Sequence, residues 1–265
     1  MPKVIIKIPF NYANVHGQKQ IALTKSWIDN RIDIFIKYTL RSLKNQTNQN
    51  FIAYILYDLT SKPIIEQALL KYPPLPPHIR FVPGEKAYTE EVRKYISLDP
   101  FFYEVHLHSD DMYHQSFINQ IQQYKPGSGT KILICQNGYI YDSKQHRLAK
   151  YFNFSSGFNC LIYKTEDYLS GVRYNLHGDM GAIRHPHEFL GKANYINHSH
   201  EGNVAFSFDI ERKRNKVKNV WKRSSSGTKP GMTDEEIRKV SQRALFGEEI
   251  TDKKEMENIL KEFRG

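Results

Sequence analysis

The pattern of apolar positions along this chain changes period near its middle. Val4 to Ile8 alternates and is rich in β-branched residues, which predicts a strand. From Asp29 to Leu43 the apolar residues Ile32, Phe35, Ile36, Leu40 and Leu43 fall at helical spacing, predicting an amphipathic helix that ends near Asn45. Phe51 to Tyr57 is nearly all apolar, as in a strand covered on both faces of a parallel sheet. Pro63 stands in the first turn of a helix expected to reach Lys71. Ile79 to Val82, then Phe101 to Leu107, predict a third and a fourth strand, with a helix over Thr89 to Ile96 between them and another over Tyr113 to Tyr124. Strands and helices thus alternate over about the first 125 residues, which predicts an α/β fold with a mainly parallel sheet flanked by helices.

Beyond residue 126 the period shortens. KILICQ, GYIYDS, RLAKYFNF and NCLIYK, between 131 and 164, read as a meander of strands, followed by a short helix near Glu166 to Leu169. Residues 177–206 are rich in His, Gly and Asn and read as loops around one short helix. Asp234 to Phe246 and Asp252 to Phe263 are predicted as polar amphipathic helices, part of a C-terminal helical appendage. The expected domain plan is therefore 1–210 as the main unit (halves 1–125 and 126–210), with 211–265 as basic linker and terminal helices.

Composition changes this picture little, and charge changes it locally. The 265 residues suffice for one large domain, and 40% hydrophobic with 25% charged residues is ordinary for a globular protein. No apolar run approaches a membrane span, and the start lacks the marks of a signal peptide, so a cytoplasmic location is expected, with peripheral membrane attachment left open. Cys135 and Cys160 sit in apolar surroundings and read as buried free thiols. The net charge of +10 is concentrated: residues 211–223 hold seven Lys/Arg against one Glu. That stretch is either a solvated segment or a contact for an anionic surface or polymer.

In open α/β sheets, ligands sit beyond the C-terminal ends of the strands. Three such ends carry polar groups here: Pro9-Phe10-Asn11, Asp58, and His108-Ser109-Asp110-Asp111. Adjacent carboxylates repel unless a cation stands beside them, and a divalent metal bridging to a diphosphate removes that cost. The competing reading makes Asp111 the cap of a following helix. No GxGxxG follows the first strand, and there is no GxxxxGK[ST] or GxSxG, which disfavours Rossmann dinucleotide binders, P-loop enzymes and α/β-hydrolases.

The stretch IKIPFNY…NRIDIFIKYTLRSLKNQTNQNFIAYILYD resembles the opening of GT-A-type glycosyltransferases, in particular the rhamnosyltransferase group. The shared features are Phe10-Asn11 after the first strand, a helix closing on Ser42-Leu43-Lys44-Asn45-Gln46-Thr47, and Phe51 to Asp58 as an apolar strand ending on an acid. HLHSDDMYHQSFINQI resembles that family's Asp-x-Asp region, with His108 where the first acid usually stands. The resemblance implies a GT-A-like fold, a nucleotide-sugar donor of the UDP, GDP or dTDP type, and Mn2+ or Mg2+ held by Asp110 and Asp111, with a late His, His198 or His200, completing the shell. It implies that Pro9, Phe10, Asn11 and Asp58 meet the base and ribose, and that Arg93 and Lys94 approach the diphosphate. The acceptor would be a glycan, a lipid-linked sugar or a protein hydroxyl.

Five of the eleven histidines fall within residues 177–200. An inverting transfer needs a carboxylate base, for which Asp179 in its Gly-flanked loop is the first choice and Glu188 the second. Two other readings stay open: a metal-dependent hydrolase or nuclease using the His/Asp loops and the basic segment, and a non-catalytic glycan- or nucleotide-binding protein.

Overall fold

A computed structural model of the chain describes residues 1–11, 19–96, 99–176, 180–201, 203, 207–214, 216–217, 220–221, 227–241 and 243–265. The strands, in chain order, are β1 Lys3–Pro9, β2 Ile52–Tyr57, β3 Ile79–Pro83, β4 Phe101–His106, β5 Met112–Tyr113, β6 Ile132–Cys135, β7 Asn137–Asp142, β8 Arg147–Asn153, β9 Asn159–Lys164, β10 His187–Leu190, β11 Tyr195–Ser199 and β12 Ala244–Glu249. Among the described residues they form two sheets. The central one runs β10-β6-β9-β4-β1-β2-β3. β1 to β4 are mutually parallel, β9 is antiparallel to both β4 and β6, and β10 is parallel to β6. The protein is thus a mixed α/β fold with a mostly parallel central sheet.

Alternation along the central strands sends side chains to two helical layers. Val4, Ile6, Ile8, Ala53 and Ile55 face a core shared with Ile28, Ile32, Phe35 and Leu43 of one helical segment and with Phe117, Ile118 and Ile121 of another. Ile5, Tyr54, Leu56 and Val82 face the opposite core, closed by Tyr88, Val92 and Ile96 of the helix Gly84–Ile96. All six residues of β2 are buried, as an apolar strand covered on both faces requires. Cys135 and Cys160 are buried free thiols in this core, and burial pushes the Cys135 thiol up to about 12.

The structure revises the second half of the sequence reading. The residues expected as a meander leave and re-enter the central sheet: β6 and β9 belong to it, whereas the hairpin β7–β8 belongs to a second sheet, β12-β8-β7-β11-β5. Period-2 alternation fixes a strand but not which sheet it joins. Residues 177–206, expected as loops, contain β10 and β11. The C-terminal stretch is a short helix Asp234–Arg238, the strand β12, and the helix Lys253–Arg264. β12 pairs with β8, so the helix predicted over Asp234 to Phe246 is confined to Asp234–Arg238 and the end of that stretch is strand. Met256, Leu260 and Phe263 of the last helix cover the second sheet beside Tyr139, Tyr141 and Ile196. No described helix is long and apolar enough to cross a membrane.

Candidate functional site

The segment after β4 is where the two sheets meet. Instead of entering a helix, the chain after Asp111 forms β5, and the next helix, Phe117–Gln123, has Ser116 at its N-cap. The helix predicted from Tyr113 therefore starts four residues later, and Asp111 caps nothing. β5 pairs antiparallel with β11, Tyr113 opposite Tyr195 and Met112 opposite Ile196. Continuing that ladder brings the acidic pair beside His198. The His198 amide donates to Asp111 Oδ1 at 2.8 Å, and His198 Nδ1 lies 3.1 Å from the Asp110 carbonyl. β11 also lies against β7 at Gly138, where a Cβ would stand 2.6 Å from the Tyr195 carbonyl. Only glycine admits so close an approach.

Polar side chains of the first long helical segment hold this turn in place. Lys25–Ile34 continues through a π-helical stretch, Phe35–Thr39, into Leu40–Lys44. Thr39 Oγ1 donates to the Asp111 carbonyl at 2.9 Å, and Ser42 Oγ donates to the Tyr113 carbonyl while accepting from its amide. Gln46 Nε2 donates to the His114 carbonyl at 2.9 Å, and its Oε1 accepts from the Ile118 amide. Thr47 pairs with Gln115. The Ser42 to Thr47 motif is thus a clamp on the backbone that follows the acidic pair.

Arg31, which sequence reading passed over, stands on the same helical segment. Its Nη1 is 2.6 Å from Asp110 Oδ2, and its guanidinium lies over the Trp27 ring at 5.0 Å. The same carboxylate oxygen accepts from His200 Nε2 at 3.0 Å and from Asn203 Nδ2 at 3.4 Å. Asp111 Oδ2 meets His108 Nδ1 at 3.0 Å. Both carboxylates are buried, whereas the His108 side chain is 60% exposed. A warning of Arg31 existed only in its being a basic residue within an amphipathic helix, a pattern that usually marks a solvated face.

The two acids have unequal electrostatics. Burial pushes the Asp110 carboxyl up, but the His200 hydrogen bond and the Arg31 charge outweigh it and hold the group well below the usual carboxylate range. For Asp111, burial and the neighbouring Asp110 charge win over the His108 bond, and its pKa is raised. Desolvation opposes a charged His108, yet its bond to Asp111 and the field of both acids raise its pKa. His198 is fully buried and held near 4 by that burial and by His200, so its ring is neutral. A carbonyl can only accept, so Nδ1 carries the His198 proton, and Nε2 accepts from Ser143 Oγ at 2.8 Å.

The four residues expected to hold a metal are therefore brought together, but not as a ligand shell. A divalent cation needs oxygen contacts of about 2.0–2.6 Å, and Arg31 Nη1 already stands 2.6 Å from Asp110 Oδ2. His200 directs a hydrogen, not a lone pair, at that oxygen, and both ring nitrogens of His198 are engaged. Both Asp111 oxygens accept hydrogen bonds. Among the described residues no group of three or more His, Cys, Asp or Glu side chains is arranged to hold a metal ion. The arrangement can instead present cationic and N–H groups to an anion, and it orients the exposed His108 ring through Asp111, as a proton acceptor requires.

The remaining expected site residues divide by place. Asp58 ends β2 on the same edge of the sheet. Its Oδ1 accepts from the Thr60 amide and hydroxyl, its Oδ2 meets Lys19 at 3.1 Å, and the Thr60 bonds and Lys19 lower its pKa against partial burial. Pro9 is the last residue of β1, and Phe10 is buried edge-on against Trp27 and Phe81. Asn11 accepts from the Asp58 amide and donates to Ser61 and the Ala22 carbonyl, tying together the ends of β1 and β2. Phe10 and Asn11 are thus packed supports of this edge. Arg93 and Lys94 are not brought to it. They sit late in the helix that runs back from the end of β3, with Arg93 on the Leu169 carbonyl and Lys94 on Glu91. Lys94 lines a groove of about 470 Å³ with Phe51 and Arg80, at the opposite, N-terminal edge of the strands.

Glu188 lies on β10, three strands from β4, or ~14 Å at the usual strand spacing. Its oxygens accept from Tyr124 Oη at 2.5 Å and from the Gly127 amide and Thr130 Oγ1 at 2.6 Å each. Burial opposes the ionised form, but the Thr130, Tyr124 and Gly127 bonds lower the pKa nonetheless. Held by these three donors and three strands from β4, it anchors the loop between Tyr124 and Thr130. Asp179 lies outside the described residues.

No family model matches the chain, and no curated protein resembles it in sequence. Solved structures with a similar course of chain include Staphylococcus aureus TarS 1-349 in complex with UDP, at 13% identity and TM-score 0.39, covering 75% of this chain and 60% of that one. Another is 4-diphosphocytidyl-2C-methyl-D-erythritol synthase from Anaerococcus prevotii, at 12% and 0.34, covering 79% and 92%. A third, from Desulfovibrio desulfuricans, is assigned as a nucleotide-diphospho-sugar transferase, at 11% and 0.35, covering 80% and 87%. At this level the likeness assigns neither residue nor substrate.

Proposed function

We propose that the chain is a nucleotide-sugar-dependent glycosyltransferase, moving a sugar from a nucleoside-diphosphate donor of the UDP, GDP or dTDP type to a hydroxyl of a glycan, lipid-linked sugar or protein. The observation that carries this reading is the cluster beyond β4. Arg31, His108, Asp110, Asp111 and His200 converge from three separate elements at the C-terminal edge of a parallel sheet, the edge where such folds bind ligands. Asp58, at the end of β2 two strands away on the same edge, supports placing the nucleoside there. The resemblance of the first half to GT-A-type enzymes agrees with this placement. In this reading Arg31 holds the diphosphate, and the acceptor proton goes to Asp179 or to His108, whose ring Asp111 orients.

The test is a thermal-shift and turnover screen of UDP, GDP and dTDP sugars on the full chain. A donor that binds only the folded state raises the melting point. D110N, which removes the charge that positions Arg31, should lower turnover by about 100-fold, the scale of losing one well-placed electrostatic contact. Turnover unchanged in D110N would place the site away from this cluster, and cleavage of phosphodiesters with no sugar turnover would refute the reading.

A further inference from the structure

The inference concerns how the diphosphate is held, and it rests on the proposed nucleotide-sugar reading. An acidic pair at this edge leads one to expect a divalent cation, yet the place at Asp110 Oδ2 is filled from within the chain. Arg31 Nη1 stands 2.6 Å from Asp110 Oδ2, and His200 Nε2 stands 3.0 Å from the same oxygen. A cation at coordination distance from that oxygen would overlap the guanidinium and meet an N–H rather than a lone pair. We propose that this site binds its nucleoside diphosphate without a divalent cation, Arg31 acting as the fixed positive charge for the phosphates.

The geometry suits the task. A guanidinium offers five N–H donors in a planar fork. Among the described residues, the Asp110 bond is the one hydrogen bond of the Arg31 guanidinium and uses one of them. That bond and the Trp27 ring beneath the plane at 5.0 Å fix the fork's orientation. A side chain already held in place loses less entropy when the anion arrives. The Arg31 side chain is only 15% exposed, which strengthens its field relative to a solvated arginine. His108 follows from the same logic. With no metal to ligate, an imidazole in place of the usual first acid costs the site nothing, and its bond to Asp111 offsets the second acid's charge.

The experiment is calorimetric titration of the full chain with UDP, GDP and dTDP, in EDTA and again with Mn2+, alongside direct Mn2+ binding followed by electron paramagnetic resonance. The expected result is a nucleoside diphosphate whose Kd in EDTA lies within about threefold of that in Mn2+, a change under about 0.7 kcal/mol. Free Mn2+ should stay unbound at concentrations that saturate a carboxylate-cage site. R31A should weaken diphosphate binding by about tenfold or more, R31K by less, while the corresponding nucleoside binds each variant as it binds the parent chain. Binding seen with Mn2+ and abolished by EDTA would overturn this inference and leave the functional reading standing. No diphosphate binding in either condition would overturn both. Should R31A fail to fold, the EDTA comparison on the unaltered chain decides alone.

Discussion

Asp110 and Glu188 are both buried carboxylates that sequence reading singled out, and they are satisfied in opposite ways. Glu188 accepts from a phenol, an amide and a hydroxyl of the one loop it anchors, with the Thr228 hydroxyl beside them, and all of these donors are neutral. Asp110 is balanced by charge and by imidazole: Arg31 from a helix, His200 from the end of β11, and Asp111 as a like-charged neighbour. Neutral donors make a rigid joint whose removal is felt as lost stability. Opposed charges from separate elements make a site whose balance an incoming anion can alter. The contrast separates an anchor from a chemical centre, although both residues look alike as buried acids.

The largest effect that would test this contrast is on the anchor. E188A leaves Tyr124, Gly127 and Thr130 without their acceptor and should cost about 4 kcal/mol of stability by urea denaturation. E188Q keeps an oxygen acceptor and should recover part of that loss. Nucleotide binding by the folded fraction of either variant should match the parent chain. A stable E188A with lost turnover would place Glu188 in the chemistry and erase the distinction.

The next effect is a pH dependence at the other carboxylate. His198 is buried neutral against the Asp110 carbonyl, with its pKa lowered from 6.5 to about 4. Between those values the unfolded chain binds the proton and the folded chain does not, so stability falls as pH falls. Full passage through the window amounts to roughly 3 kcal/mol. His108 works with the opposite sign, since its raised pKa gives stability that is present below the ordinary histidine value and is lost as pH rises through the folded value. Asp110 and Glu188, both lowered, lose their contribution only as pH falls below the ordinary carboxylate range. Urea melts between pH 6.5 and 4.5 carry this slope together with those of His78, His114 and His187, which burial also keeps from protonating, and with an opposite contribution from Asp111. The difference between the parent chain and H198Q, whose slope should be flatter, therefore reads His198. An unchanged slope would mean the ring is not held neutral.

How much of this was legible in the sequence follows from what each signal depends on. The strands β1 to β4 and the helices between them are marked by local periodicity, and the structure reproduces them with small shifts of boundary. The clustering of Asp110, Asp111, His198 and His200 was also anticipated, but from resemblance, and in the role of metal ligands. Local pattern could not show that β5 replaces the first turn of a helix, because two-residue pairing with β11 is a contact across more than eighty positions. Nor could it show Arg31, whose partner lies 79 residues away. Ser42, Gln46 and Thr47 were recognised as a motif, and only the fold shows that they grip the backbone after the acidic pair. Resemblance, and not periodicity, assigned Arg93 and Lys94 to the diphosphate, and the fold carries them to the other edge. Helical spacing gives the face of a residue on its own helix but not the edge of the sheet that the helix end reaches.

That last misplacement supplies the smallest expected effect and a control on which edge is the site. The helix Gly84–Ile96 begins where β3 ends, so its late residues return to the N-terminal edge. There the Lys3 ammonium donates to the Tyr95 carbonyl and pairs with Asp99 at 2.9 Å, beside Lys94 and away from Asp58 and Asp110. The Lys94 ion pair is exposed, and such pairs contribute little in water. R93A and K94A should each change stability by no more than about 0.5 kcal/mol and leave the Kd for a nucleoside diphosphate within about twofold. R31A is the paired measurement, at about tenfold or more. A tenfold loss from R93A or K94A with none from R31A would put the diphosphate at the N-terminal edge of the strands. The cluster around Asp110 would then be a second anchor, no different in kind from Glu188.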